Sequence, residues 1–391
     1  MHIIEFTADS LRFVDAVPAQ APADGFVWVY LDCNDFEREQ ARVQEAALRL
    51  GGSMLLDLHC QDLASPVHPS HYDYTSVYDL IIFRRLATQP EMAHEMAHEA
   101  AQEASAQASH GQAGSPRRAK PALPAPALGF QRIGSKAVGF AVFDRLLISV
   151  HPRGCYAAKS FIDRFLSDAK FSVDAASARS RIPVSPADLV LRMVNVMVDS
   201  YLELRKALTA QLEHWQAELL KPNARFTNWG AIMAARNQLQ LLEDLCDEQH
   251  DAMQEWLDSL REQPASAYSA DPVLAQATRD QLVARARDVI EHIERVVHHV
   301  RRLEQSAETV VQIHFSAQSN RTNDIMRTLT ALTAVFLPLN LITGFFGMNF
   351  EVFPMIHYVH GLWWTIAFML AVALALVLVF WRKRYLARTG R

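Results

Sequence analysis

LITGFFGMNFEVFP, residues 341–354, decides how the rest of the chain is read. It closes a long apolar run with Gly347, Met348 and Asn349, a glycine, a thioether and a carboxamide, where a bilayer edge more often meets charged anchors. Working back, no charged residue occurs from Thr328 to Phe350; working forward, none occurs from Gly361 to Trp381. Each stretch has the roughly 20 residues needed to cross about 30 Å of hydrocarbon. A buried hairpin of core helices is the alternative, but core helices seldom lack charge over such a length. Two membrane spans are expected, 327–350 and 361–381, so the lipid bilayer is a partner of the chain.

Their orientation follows from the flanks. The connecting segment 351–360, EVFPMIHYVH, has no Lys or Arg, whereas Arg382, Lys383, Arg384, Arg388 and Arg391 crowd the tail 382–391, and Arg321 and Arg327 precede the first span. The excess of positive charge places both termini in the cytoplasm. Tyr358, Trp363 and Trp364 at one boundary, with Trp381 and Tyr385 at the other, suit the interfacial aromatic belts.

The remainder is bounded by composition. With 391 residues, half of them apolar, the chain has room for an ordinary folded domain and additional elements. A formal net charge of −5 gives no basic footprint for nucleic acid. Cys33, Cys60, Cys155 and Cys246 stand singly, a pattern of free thiols in a reducing compartment. The start, MHIIEFTADSLRF, has acids where a signal peptide needs a basic region and an apolar core.

Residues 1–184 read as a cytosolic α/β domain. FVWVYLD (26–32), DLIIFRRL (79–86), AVGFAVF (137–143) and LLISVH (146–151) are strand-like, the last two parted by an Asp144-Arg145 turn. Asn34 is the expected cap of a helix stopped at Gly51 and Gly52. Residues 88–127, rich in Ala, Gln, Ser and Pro, are expected to be a disordered insertion. Within it His94-Glu95-Met96-Ala97-His98 matches the HExxH pattern of zinc proteases, but the match arises from a repeated EMAH unit with no core to preorganise it.

From 185 to 326 the chain turns helical. Ser185-Pro186-Ala187-Asp188 combines a serine cap, a proline at the first helical position and an acid three residues after the cap. Between Pro272 and Pro338 there is neither Gly nor Pro, and Val289, Ile293, Val296, Val300, Leu303, Ala307 and Val310 repeat in steps of three and four, a coiled-coil seam. The pattern predicts a helix from near Arg279 to Asn349, with Ser316–Asn320 the place where it could break. The fold class is α/β followed by long stalk helices and two C-terminal transmembrane helices.

Two helices cannot enclose an aqueous path, so transport requires several copies around an axis. The first span carries Thr328, Thr330, Thr333, Asn340, Thr343 and Gly344, whereas the second is apolar apart from Thr365. The first is the expected lining, bent near Pro338. Its C-terminal carbonyls, freed by Gly347, and the Asn349 amide oxygen would gather neutral oxygens at the outer mouth. That suits magnesium, which surrenders its waters reluctantly.

Asn323-Asp-Ile-Met326-Arg-Thr-Leu329 followed by VFLPLNLITGFFGMNF resembles the pore helix and signature of the CorA family of magnesium transporters. The resemblance covers about the last 110 residues well and extends loosely to FVWVYLD and the long helices. It implies a homopentamer, with Asn323, Met326, Leu329, Leu337, Asn340 and Gly344 lining the pore. Met326 and Leu329 would form the gate, and Gly347, Met348 and Asn349 the entrance filter. It further implies a regulatory magnesium site at which Asp288, in ARDVIEHIERV, is a ligand. The family's acidic MPEL-like loop is here FEVFPMIHYVH, with Glu351 the only acid, which weakens the cation attraction expected at the entrance.

The resulting expectation is a channel-like magnesium importer of the inner membrane, not an enzyme, driven by membrane potential and closed by cytosolic magnesium. A zinc transporter of the ZntB type, or a cobalt or nickel transporter, on the same scaffold is the first alternative. A non-conducting membrane-anchored sensor is the second.

Overall fold

The computed structural model describes residues 1–7, 10–88, 91–93, 97, 132–152, 155, 162, 182–219, 229–264, 271–348 and 360–382. The chain divides into two compact units, Met1–Leu212 with Gly230–Ala307, and Glu213–Trp229 with Glu308–Arg391.

The first unit is built on a seven-stranded sheet: β1 His2–Thr7, β2 Leu11–Val14, β3 Gly25–Asp32, β4 His71–Tyr74, β5 Asp79–Leu86, β6 Ser135–Val142 and β7 Leu146–His151. The spatial order is β2-β1-β3-β7-β6-β5-β4. Its β3–β7 pair is parallel, with Val27 opposite Leu146, and its other pairs are antiparallel. The long apolar runs of β3 and β7 follow from this position, since the middle of the sheet is buried on both faces.

One face packs Val27, Val29, Leu31, Ile148 and Val150 in a core with Phe36 and Val43 of α1, Cys33–Ala46, and Leu63 of α2, Asp57–Ala64. Helix α2 presses so close to β6 that a Cβ on Gly139 would lie 2.5 Å from Leu63 Cδ2. The expected Asn34 cap is displaced: the helix starts at Cys33 behind an extended Asp32 that makes no side-chain capping bond. It ends as foreseen, a π-helical turn Ala47–Gly51 running into Gly52 at φ 81°, a left-handed backbone that glycine adopts without strain.

The opposite face carries a polar chain in an apolar setting. Trp28 Nε1 donates to Ser149 Oγ at 2.7 Å, and Ser149 Oγ lies 2.9 Å from His151 Nε2. His151 is fully buried, and burial, helped by the nearby Arg85 charge, lowers its pKa from 6.5 to about 3. Arg85, also buried, pairs with Glu91, its Nη1 donating to Oε2 at 3.0 Å, and the same oxygen accepts from the Thr88 N–H at 2.7 Å. Thr88 and Glu91, inside the stretch expected to be disordered, are therefore anchored to β5, because Glu91 answers a buried guanidinium. Residues 94–96 and 98–131, with most of the HExxH pattern, lie outside the described residues.

Helix α3, Pro186–Asp199, begins as its sequence dictates: Ser185 Oγ accepts from the Asp188 N–H at 3.2 Å, with Pro186 at the first helical position. Asp188 has a second role. Fully buried, it pairs with Arg192 at 2.9 Å and with Arg285 Nε at 2.9 Å, clamping α3 to the long helix α6.

After α4, Tyr201–Leu219, and α5, Trp229–Glu262, helix α6 runs unbroken from Pro272 to Phe346. Its 75 residues amount to about 110 Å of helix at 1.5 Å per residue. Ser316–Asn320 does not interrupt it. In the first unit Val289, Ile293, Val300, Leu303 and Ala307 are buried as the seam requires, with Val297 buried in place of Val296. Tyr201, Leu208 and Leu242 face Val296, Val300 and Leu303 around a shared cavity, so the seam packs against α4 and α5 of the same chain. Arg301 adds a bond to Glu243 at 2.7 Å. In the second unit lie the end of α6 and α7, Gly361–Arg382.

Two outcomes follow. Asp188→Ala removes the carboxylate shared by Arg192 and Arg285, both partly exposed, and should cost about 1–3 kcal/mol; the thermal midpoint of the purified full-length protein reads it. For His151 the sign is fixed by its lowered folded-state pKa: stability is fully present above pH 6.5 and is lost as pH falls toward 3, because the unfolded chain takes up the proton first. Unfolding midpoints between pH 6.5 and 5 should fall with pH in the parent and flatten in His151→Gln, the limiting slope being about 1.4 kcal/mol per pH unit.

Candidate ion pathway

The apolar windows of α6 and α7 are 6% and 0% buried, so these helices are not the core of a folded unit. Leu329, Leu337, Leu341, Trp363, Trp364 and Leu370 are each more than half exposed. A solvent must cover them, and at this length and composition that solvent is hydrocarbon.

Continuity of α6 fixes which residues share a face. At about 100° per residue, Asn323, Met326, Leu329, Leu337, Asn340, Gly344 and Gly347 fall within a stripe about 120° wide. All seven are exposed. Pro338 sits within the helix without ending it; lacking an N–H, it leaves the Ala334 carbonyl without its usual donor, beside the stripe.

The hydroxyls of the span have been answered locally. Thr328, Thr330 and Thr333 Oγ1 donate to the carbonyls of Asp324, Met326 and Leu329 at 2.8, 2.7 and 2.9 Å. Thr343 Oγ1 is 3.1 Å from both the Leu339 and Asn340 carbonyls. This arrangement lets a threonine sit in hydrocarbon without water, so the threonines do not by themselves mark a wet face. Asn340 differs. Its carboxamide is exposed and has no hydrogen-bond partner among the described residues.

At the end of the helix the structure departs from the expected glycine release. Gly347 is not left-handed; its N–H still donates to the Thr343 carbonyl at 2.9 Å, and Met348 N–H reaches the Phe345 carbonyl at 3.4 Å in a tightened last turn. A Cβ there would stand 3.2 Å from the Thr343 oxygen, the carbonyl to which the Gly347 N–H is bonded. Asn349 lies outside the described residues.

Asp288 is exposed on α6 and has no acidic or histidine cluster around it among the described residues. One cluster that the sequence reading passed over does occur, Asp62 with His68 and His71; the His68-Pro-Ser-His71 spacing was its available signal.

With this geometry in place, comparison with known proteins is informative. The CorA-like Mg2+ transporter protein family profile matches residues 128–384, well over half of the chain. The chain belongs to this family. It is a family of transporters, not of enzymes. A cobalt/magnesium transport protein CorA from Thermotoga maritima is 26% identical over 198 residues, 51% of this chain and 52% of that protein. A magnesium transport protein CorA from Haemophilus influenzae is 31% identical over 101 residues, 26% of this chain and 32% of that one. The chain thus aligns with about half or less of the length of these relatives. By shape it matches the complete structure of the CorA magnesium transporter from Methanocaldococcus jannaschii over 100% of this chain and 98% of that one, with TM-score 0.68 and 15% identity. The full-length CmaX protein matches at TM-score 0.62 and 16% identity, over 98% of this chain and 97% of that one. At such identities the likeness is one of fold: an N-terminal α/β domain, a long helix and two C-terminal apolar helices.

The local bonding of the hydroxyls has a consequence. Thr330→Val and Thr333→Val each remove one bond to a carbonyl that still faces its own helix, and should cost less than about 1 kcal/mol. The thermal midpoint in detergent should stay near that of the parent.

Proposed function

We propose that several copies of this chain, five by the CorA resemblance, stand around a common axis in an inner membrane and admit magnesium to the cytoplasm down the membrane potential. The observation carrying this reading is Asn340: an exposed amide without a hydrogen-bond partner among the described residues, at mid-span, on the same stripe of an unbroken helix as Asn323 and Gly344. An amide in hydrocarbon needs water or a partner, and a wet axis between copies supplies both.

On this reading the outward end of α6 offers helix carbonyls, the Asn349 amide and no carboxylate, suiting an ion that keeps its hydration shell. Met326 and Leu329, apolar rings near the cytoplasmic end, close the path by excluding water. A divalent ion crossing 100 mV gains about 4.6 kcal/mol, so no nucleotide is needed. Asp288, exposed and without a ligand cluster among the described residues, is assigned to a regulatory magnesium site completed by a neighbouring copy.

The test is uptake into proteoliposomes. Asn340→Leu and Asn349→Ala should abolish magnesium flux while the oligomer, measured by native mass spectrometry from lipid, stays intact. Undiminished flux through an intact Asn340→Leu oligomer would overturn the proposal. Because the Thermotoga relative is named for cobalt as well as magnesium, the same assay is run with competing cobalt and zinc. Zinc uptake without magnesium uptake would overturn the assignment of the cargo.

A further inference from the structure

We infer that Asp62, His68 and His71 form a binding site for a borderline divalent transition ion, zinc in the first instance, independent of the proposed pore. One donor atom from each of the three side chains lies within 4.8 Å of the others. His68 Nε2 is 3.3 Å from Asp62 Oδ1. Two ligands at zinc bonding distances of about 2.0–2.1 Å, in tetrahedral geometry, stand about 3.3 Å apart. This pair is therefore already spaced as two zinc ligands, and the His71 ring, its centroid 4.3 Å from that of His68, needs only a small swing to join them.

The rings are held in the tautomer a metal needs. His68 Nδ1 is 3.1 Å and His71 Nδ1 is 3.4 Å from one acceptor, the Pro69 carbonyl. A carbonyl only accepts, so each Nδ1 is placed to donate to it, and Nε2 of each ring is the atom left to meet a metal, which at His68 takes the place of any proton shared with Asp62. Donation of the second ring N–H to a backbone oxygen is the usual outer support of a metal-bound histidine.

The loop itself is fastened. Arg84 Nη1 donates to the His68 carbonyl at 3.0 Å, and the Ser70 N–H donates to Glu248 Oε2 on α5 at 3.3 Å. Asp62 comes from the last turns of α2 and His71 opens β4, so the three ligands arrive on a fixed frame. Two imidazoles and one carboxylate select zinc-like ions over magnesium, which prefers oxygen ligands and retains its waters. Three protein ligands leave a fourth position for water. The site is thus chemically separate from the cargo assigned above.

Zinc binding to the purified full-length protein, measured by calorimetry in millimolar magnesium, tests it. The parent should bind about one equivalent per chain and show a zinc-dependent rise in thermal midpoint. H68A/H71A should lose both, D62N should bind more weakly, and H94Q/H98Q/H110Q, which removes the histidines of the Ala-rich segment, should behave as the parent. Midpoints in EDTA equal to the parent's show that the variants fold. Unchanged zinc binding in folded H68A/H71A, loss of binding in H94Q/H98Q/H110Q alone, or equal competition by magnesium would overturn the inference.

Discussion

Hydrocarbon offers no water to a polar group, and that constraint orders everything beyond Thr328. Each polar atom on α6 there must be answered by its own helix, by another copy or by a wet axis. The threonines take the first course, bonding the carbonyl a turn behind them. Asn340 has a side chain too demanding for that course, since a carboxamide carries two donors and an acceptor and its own helix satisfies none of them. On the proposed reading, this one residue is what asks for an assembly rather than a solitary anchor helix. A helix built only of Leu, Val and Thr would have made no such demand.

The first unit faces the opposite problem, the cost of charge and polarity inside an apolar core. Its answers are pairs and chains: Asp188 between two arginines, Arg85 against Glu91, His151 kept neutral behind Ser149 and Trp28. Buried ion pairs contribute little net stability but penalise any arrangement that separates them. Asp188 makes the packing of α3 against α6 specific, because an apolar contact tolerates sliding and a doubly paired carboxylate does not.

Much of this was legible where a single physical rule decides. Uncharged length identifies the spans, the absence of Gly and Pro from 273 to 337 gives the continuous helix, and Ser185-Pro186 gives the start of α3. β3, β5, β6 and β7 could be read because burial on both faces leaves unbroken branched and aromatic runs. The edge strands β2 and β4, and β1 beside β2, escaped notice, since strands with partly exposed faces carry mixed sequences such as LRFV and HYDY. The same holds for sites. Residues on the α6 stripe are legible because helical periodicity puts them together, whereas Asp62 and His71 meet only through the turn between α2 and β4. A glycine after an apolar helix marks where the helix ends, and α6 does end at Phe346, but whether its last N–H bonds hold is set by local backbone that the residue type does not specify.

The proposed function also explains why a simple span carries so large a folded unit. A gain of about 4.6 kcal/mol for a divalent ion at 100 mV corresponds to an equilibrium accumulation of over a thousandfold, far more than a cell can use. An open path is therefore harmful, and closure must respond to the ion already inside. On the proposed reading Met326 and Leu329 supply the closure, since rings of apolar side chains exclude water abruptly as they narrow. On the same reading Asp288, an acid on the same continuous helix, would couple the bound ion to that closure. The helix then serves as both lining and lever, and interrupting it at Ser316–Asn320 would leave the path without its control.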